Sequence, residues 1–374
     1  MADLNHEACS RRSVLGAALG AAAAYPQALL AEQPQTRPAT QPENGVANRA
    51  GEIGKIRLSI IPACWPYRPA QEILQNAAGL GFESVQVMVG IDANWLKAHP
   101  PTGPETGRLL ARRIDSSRQT GAQFHLDPDH PDEMMNAIKT LRNEHHVEIA
   151  CFYTGFQAHW LDVLVPVAAA AQAVGCKTIK LDGSSASSER GKVFGHCASY
   201  REWLDISRGR LREGLAALRD YDVRLIFETH PWVITRSPQS CARLLDGFDP
   251  KKVGILFDVA NLWFEGNEPI DLAVDLMRDY IAQLHVKNVA VEVKREAGHG
   301  GAVVKNVRLV DGVVDWPYVL RALKGVGFAG DAAIECFAAQ ILGKNDPQAV
   351  NELVASEKEI FCRWAEEAGM WRPR

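Results

Sequence analysis

Leu225-Ile226-Phe227-Glu228, Ile255-Leu256-Phe257-Asp258, Ala282-Gln283-Leu284-His285 and Ala333-Ile334-Glu335 share one pattern: a short apolar run closing on a residue able to bind a divalent cation. Three carboxylates and one imidazole thus stand where successive strands would deliver them together. Ending apolar strands on such groups costs several kcal/mol unless something compensates, and a shared cation is the simplest compensation. Glu228, Asp258, His285 and Glu335 therefore read as one metal site.

The intervals between these residues are 30, 27 and 50 positions, and the first two are close to one strand-loop-helix-loop unit of about 30 residues. Working outward, near-continuous apolar runs predict strands at Ile56 to Ala63, Ser84 to Val89, Val147 to Tyr153, Thr178 to Asp182, Val223 to Glu228, Val253 to Asp258, Ile281 to Val286 and Ala332 to Cys336. Helical patterns alternate with them: Pro69 to Leu80, Asp132 to Asn143, Val163 to Val174, Arg201 to Arg219, Ser237 to Leu245, Leu272 to Tyr280, Trp316 to Gly325 and Ala349 to Ala368. Eight strands covered on both faces by helices describe an α/β fold, a (β/α)8 TIM barrel, whose strand ends converge on one rim where the chemistry sits. Residues 91 to 130 fit least well and read as an insertion, with Gly103 to Thr120 helical and Ala122 to Leu126 a further strand. The loop from Asn288 to Asp315 is long and holds Gly298-His299-Gly300-Gly301. It reads as a mobile segment able to fold over the rim as a lid.

The barrel is expected to occupy residues 53–374. Ahead of it, Ser10-Arg11-Arg12-Ser13-Val14-Leu15, the apolar run Val14 to Ala24, Pro26 and the small-residue end at Ala28 to Ala31 have the order of a twin-arginine export signal over residues 1–31. The apolar run is too short to span a bilayer, so no stable membrane insertion is expected. Residues 32–52, rich in Pro, Gln, Asn and Thr, read as a flexible linker. This organisation predicts an exported, periplasmic protein. Removing the signal takes Cys9 and leaves Cys64, Cys151, Cys176, Cys197, Cys241, Cys336 and Cys362, an odd set without paired spacing that needs no disulfide. Of 374 residues 47% are hydrophobic, and 45 acidic residues nearly balance 41 basic ones. The composition points away from nucleic-acid and anionic-membrane partners and towards a small-molecule substrate.

Phe227-Glu228-Thr229-His230-Pro231, Phe257-Asp258-Val259-Ala260-Asn261, Leu284-His285-Val286-Lys287-Asn288, Ile334-Glu335-Cys336-Phe337, Asp311-Gly312-Val313-Val314-Asp315-Trp316 and Gly327-Phe328-Ala329-Gly330 carry a resemblance. The chain resembles the sugar phosphate isomerase/epimerase family, whose fold is like that of xylose isomerase and whose members include ketose 3-epimerases and inosose dehydratases. The resemblance runs over roughly residues 54 to 370 and implies that Glu228, Asp258, His285 and Glu335 take the metal-ligand positions. Two departures stand out. Many relatives have a substrate-contacting His three positions after the aspartate, where this chain has Asn261, and the Gly-Glu-Gly often found before Val-Asp-Trp is Val310-Asp311-Gly312 here.

A hard divalent ion accepts carboxylate oxygens and one imidazole and keeps positions for two substrate oxygens. One divalent ion is expected, Mn²⁺ first, with Mg²⁺, Co²⁺ or Zn²⁺ compatible. A carbonyl and a neighbouring hydroxyl of a sugar held there would have an acidified C–H and pass through a metal-stabilised enediolate. Glu228 and Glu335, from the fifth and eighth predicted strands, would act as acid and base on opposite sides of the substrate. His230 and Lys287 lie two residues beyond a ligand and share its face. With Asn261, Lys180 and Trp65 they are the candidate substrate contacts; Lys180 reads equally as the partner of Asp182, and Trp65 as loop packing.

The expected activity is that of a divalent-metal-dependent epimerase or isomerase of an unphosphorylated keto-sugar or sugar derivative. The closest alternative is a lyase or dehydratase acting on 3-keto-glycosides or inosose-like polyols, and a lesser one is a non-catalytic sugar-binding protein. An endonuclease IV-like repair enzyme would need a three-zinc cluster with further His and acidic ligands on the earlier strands, and no matching set occurs. A homo-oligomer is compatible with the sequence, which does not specify one.

Overall fold

Runs such as Val253–Asp258, buried at every position and apolar up to the closing Asp258, suit strands covered on both faces. A computed structural model describes residues 55–371 except 67, 100–122, 184–198, 232, 265–267 and 297–298. The expected signal, linker, helix from Gly103 to Thr120 and Cys197 lie outside the described residues.

The strands are β1 (Arg57–Ile60), β2 (Ser84–Ile91), β3 (Phe124–Leu126), β4 (Glu148–Thr154), β5 (Thr178–Leu181), β6 (Arg224–Glu228), β7 (Val253–Asp258), β8 (Ile281–Val286), β9 (Asn288–Glu296), β10 (His299–Val307) and β11 (Asp331–Ile334). Eight of them pair in parallel in the order β1-β11-β8-β7-β6-β5-β4-β2, and β2 returns to β1 through Ser59↔Ser84 and Ile60↔Val85. The closed eight-stranded (β/α)8 barrel read from the sequence is therefore present.

Its helices are α1 (Ala70–Gly79), α2 (Ala93–Ala98), α3 (Pro131–His145), α4 (Leu161–Ala173), α5 (Tyr200–Ala217), α6 (Pro238–Leu245), α7 (Ile270–Met277), α8 (Trp316–Gly325), α9 (Ala338–Leu342) and α10 (Pro347–Glu367). Local chemistry starts several of them. The Ser237 side chain accepts from Ser240 N ahead of α6, Asp315 from Tyr318 N ahead of α8 and Asp346 from Ala349 N ahead of α10, each with Pro in the first turn. The main apolar core lies between strands and helices, while a small second cluster of Cys151, Ile226 and Leu256 sits apart from it. No described helix is long and apolar enough to cross a membrane.

The further strand expected at Ala122 to Leu126 is present over its described part as β3, a short strand laid along the far end of β2, pairing Val89↔Phe124 to Ile91↔Leu126, outside the closed ring of eight. One expectation changes. The segment expected as a mobile loop from Asn288 is an antiparallel ribbon, with β9 and β10 in register from Val307↔Asn288 to His299↔Glu296. The reason lies in the alternation Val289, Val291, Val293 against Val304, and in the Lys305–Glu292 ion pair of 2.6 Å beside it. These cross-strand pairs outweigh the glycines at the tip.

The six described cysteines, Cys64, Cys151, Cys176, Cys241, Cys336 and Cys362, are buried free thiols.

Candidate metal centre

β6, β7, β8 and β11 are consecutive staves, so the four strand-end residues come from one side of the barrel. Asp258 pairs with His285, His285 with Ala333, and Glu228 with Leu256. Glu228 and Glu335 are thus offset by two residues from the Asp258–His285 level, and an even offset keeps all four side chains on one face of the sheet. Glu335 lies just past β11, but its N–H still donates to Val286 O at 2.9 Å. A bulge makes the parity work: Ile255 pairs with Ile281 but Leu256 with Gln283, leaving Ala282 as an extra residue in β8. Without it Asp258 would face Leu284 and His285 would point to the helices.

The four residues offer ligand atoms that all lie within 4.8 Å of one another. They are buried, Asp258 and His285 completely, Glu228 to 4% and Glu335 to 6% exposure. His285 Nδ1 is 3.3 Å from Glu228 Oε1, 3.4 Å from Glu335 Oε2 and 3.8 Å from Asp258 Oδ2, yet it has no hydrogen-bond partner. A buried nitrogen without a partner amid three carboxylates fits a cation, and the mainly oxygen donor set fits a hard or borderline divalent one.

Lys287 supplies the countercharge. Its Nζ is 2.7 Å from both Asp258 Oδ2 and Glu335 Oε2, so the ammonium bridges two of the oxygens a cation would use. The charges are strongly interdependent. Burial alone would lower the His285 pKa, but Glu335 and Glu228 raise it to about 10. Burial raises Asp258 and Lys287 counteracts this, while Glu335 and Glu228 add to the rise and bring it to about 6. Glu335, lifted by burial, is drawn down by Lys287 and His285 to about 2. Glu228 is likewise held well below the usual carboxylate range, by His285, His230 and Lys180 against its burial.

The remaining candidates divide. Asn261, in the short 3-10 turn Ala260–Phe264 after β7, turns its amide to the carboxylates: Nδ2 donates to Asp258 Oδ2 at 2.8 Å, Thr229 O at 3.0 Å and Glu228 Oε1 at 3.3 Å. It thus orients two of the four groups, a role separate from the substrate contact expected of it. Lys180 forms the ion pair with Asp182 at 3.0 Å and lies 3.9 Å from Glu228 Oε2. The His230 ring nitrogen Nδ1 is 2.9 Å from Pro231 O. Trp65 is buried, and its indole N–H donates to Asn351 Oδ1 of α10 at 2.6 Å.

Sequence reasoning passed over Tyr153 and Gln86. The Tyr153 hydroxyl donates to Glu228 Oε2 at 2.6 Å, its ring stacks on His285 with centroids 6.0 Å apart, and Lys180 Nζ lies 4.2 Å from its centroid. Gln86 Oε1 is 3.0 Å from His285 Nε2. The available signal was a polar residue inside an apolar strand, Val85-Gln86-Val87, because a buried amide must find partners.

A profile of the family described as xylose isomerase-like TIM barrel matches residues 74–359. Among curated proteins, the rhizopine catabolism protein MocC of Rhizobium meliloti is 28% identical over 45% of this chain and 51% of its own length. An inosose dehydratase of Geobacillus thermodenitrificans is 29% identical over 36% of this chain and 47% of its own length. The chain thus spans about half the length of the curated relatives it matches. Among solved structures, a D-tagatose 3-epimerase-like protein superposes with a TM-score of 0.57 at 15% identity, covering 84% of this chain and 98% of that one.

Proposed function

The chain belongs to the xylose isomerase-like TIM barrel family, and from that premise we propose that it is a divalent-metal-dependent epimerase or isomerase of an unphosphorylated keto-sugar. The observation that carries the reading is the buried convergence of Glu228, Asp258, His285 and Glu335, with ligand atoms within 4.8 Å of one another. A bound divalent ion, Mn²⁺ or Mg²⁺ for so oxygen-rich a set, would draw charge from a substrate carbonyl and acidify the neighbouring C–H. The protein supplies the proton transfers. Glu228 and Glu335 stand on β6 and just past β11, the two ends of the run of four staves, so they flank whatever binds between them. Both carboxyls are held below their usual range, hence ionised, as a group that is to take a proton from carbon must be. Glu228 is braced by Tyr153 and Asn261, and Glu335 by Lys287. Proton return to the opposite face is epimerisation; return to the adjacent carbon is isomerisation. An exported location, proposed from Arg11-Arg12 and the apolar run after them, favours a free sugar, since phosphorylated sugars are chiefly cytoplasmic.

The second reading is a dehydratase or lyase of a cyclic keto-polyol or keto-glycoside, supported by the likeness to inosose dehydratase. The same proton abstraction would then expel a β-substituent. Incubation with keto-sugars and keto-inositols in D₂O separates the two. Deuterium incorporation at unchanged covalent structure is expected, and release of water or aglycone would favour the second reading. Glu335→Gln is expected to slow exchange by about 10²–10⁴-fold. Tight sugar binding with no exchange on any of these substrates would leave a binding protein and end both readings.

A further inference from the structure

The barrel interior beside the carboxylates is polar and connected. Gln86 of β2 and Gln283 of β8 are buried, at 0% and 2% exposure. Gln283 Nε2 donates to Ala150 O at 2.8 Å, Gln86 Nε2 donates to Gln283 Oε1 at 3.1 Å, and Gln86 Oε1 lies 3.0 Å from His285 Nε2. The far end dictates the direction of every bond in this chain. A backbone carbonyl can only accept, so Gln283 must turn its NH₂ to Ala150 and its oxygen to Gln86. Gln86 must answer with its own NH₂, which leaves its oxygen for His285, and Nε2 must therefore carry a proton. Nδ1 is the nitrogen left facing the carboxylates, and it is the buried atom without a partner.

Two β-bulges build this relay. Val85 pairs with Ile149 but Gln86 with Cys151, so Ala150 is the extra residue of β4 and falls out of the pairing. Ala282 is the extra residue of β8, and Gln283 follows it. Each bulge re-aims a side chain or main-chain group of the relay, as bulges beside functional sites do.

We propose that Gln86 is a positioning residue: held by Gln283 and the Ala150 carbonyl, it keeps the proton of His285 on Nε2 and so selects Nδ1 as the metal-binding atom. The proposal rests on the reading of Glu228, Asp258, His285 and Glu335 as a metal site, and it adds the ligating atom and the residues that select it. An amide turned the other way would oppose NH₂ to Nε2–H, and an apolar residue would leave the ring free to rotate or, once a cation has displaced one proton, to keep the other on either nitrogen. Hydrogen-bond partners that hold a ligating imidazole through its other ring nitrogen are worth about 10–100-fold in metal affinity.

The test uses the full chain with histidine labelled by ¹⁵N at both ring positions, recorded with and without saturating Mg²⁺, alongside calorimetric titration with Mg²⁺. Wild type should show a slowly exchanging Nε2–H signal, identified by its loss in His285→Gln, in both conditions. Gln86→Glu keeps an acceptor oxygen and should retain the signal. Gln86→Leu should lose it to exchange and bind Mg²⁺ about 10–100-fold more weakly. Should Gln86→Leu fail to fold, the double variant Gln86→Leu with Gln283→Leu, in which neither amide is left facing an apolar partner, carries the same expectation. A purely structural role would lower the melting temperature while leaving the Nε2–H signal and Mg²⁺ affinity unchanged, and that result overturns the proposal. If wild type binds no Mg²⁺, the metal reading alone fails, because the N–H signal of the cation-free protein still reports whether Gln86 holds the proton.

Discussion

Lys287 is the side chain on which the cation-free barrel leans. Its ammonium is 2.7 Å from carboxylate oxygens of both Asp258 and Glu335, and removing one member of a buried charged group costs about 3–5 kcal/mol because the others lose their compensation. Lys287→Met is therefore expected to lower the metal-free melting temperature markedly in calorimetry, with much of the loss recovered on adding Mn²⁺; a negligible drop would show that the ammonium is dispensable. His285 brings a pH dependence. Its pKa is raised to about 10 in the folded cation-free chain against about 6.5 unfolded. Its stabilising contribution is thus fully present below about pH 6.5 and fades as pH climbs towards 10. A cation competes with that proton for Nδ1, so the measured metal affinity should rise by about tenfold per pH unit between pH 7 and 9. Titrations showing a flat profile would mean that Nδ1 is not a ligand.

The elements after β8 act as a clamp on the centre. The Trp316 indole N–H donates to Lys287 O at 3.0 Å, which ties the segment beyond His285 to the start of α8. Asn288, at the root of the ribbon, donates through Nδ2 to Leu309 O and Val314 O and accepts from Val314 N. Gly312 makes room for it, since a Cβ there would lie 2.1 Å from Asn288 Oδ1. Asp311-Gly312-Val313-Val314-Asp315-Trp316, which carries part of the family resemblance, is thus a mechanical fixture. Gly312→Ala is expected to cost about 1–3 kcal/mol through overpacking, read as a lower melting temperature. The Lys305–Glu292 pair on the ribbon is half-exposed on both sides, and removing it should change stability by less than about 1 kcal/mol.

At the scale of the whole molecule, the four candidate ligands sit on β6, β7, β8 and the end of β11, and β11 is the strand that closes the barrel onto β1 through Arg57↔Asp331 to Ile60↔Ile334. A cation held there would cross-link four staves, including the closing one. It would stabilise the native state by about 2.7 kcal/mol at a hundredfold excess over its Kd, a rise of roughly 5 °C in melting temperature for a domain of this size. Scans with Mn²⁺ and with EDTA measure this directly, and coincident transitions would remove the cation from the barrel's closure. Arg57 adds a second tie at the opposite end of the same strands, with Nε 2.5 Å from Asp331 Oδ1, an oxygen that also accepts from Ser84 at 2.9 Å.

The eight staves were legible from the chain because each is a short apolar run with helical periodicity on either side, a property of neighbours in sequence. The strand-end residues Glu228, Asp258, His285 and Glu335 were legible for the same reason. Tertiary structure decided the rest. The extra residues Ala150 and Ala282 set which face Gln86, Gln283 and His285 present, and a bulge is visible only once a partner strand defines the register. Tyr153 and Asn261 become braces of Glu228 because barrel closure brings β4 and the turn after β7 to the same carboxylate. The ribbon β9–β10 arose where glycines suggested a loop, since cross-strand pairing between distant residues outweighs local backbone freedom. Local apolar pattern dictates which segments become strands and helices, but contacts between segments far apart in the chain choose the register, and the register chooses which atoms meet.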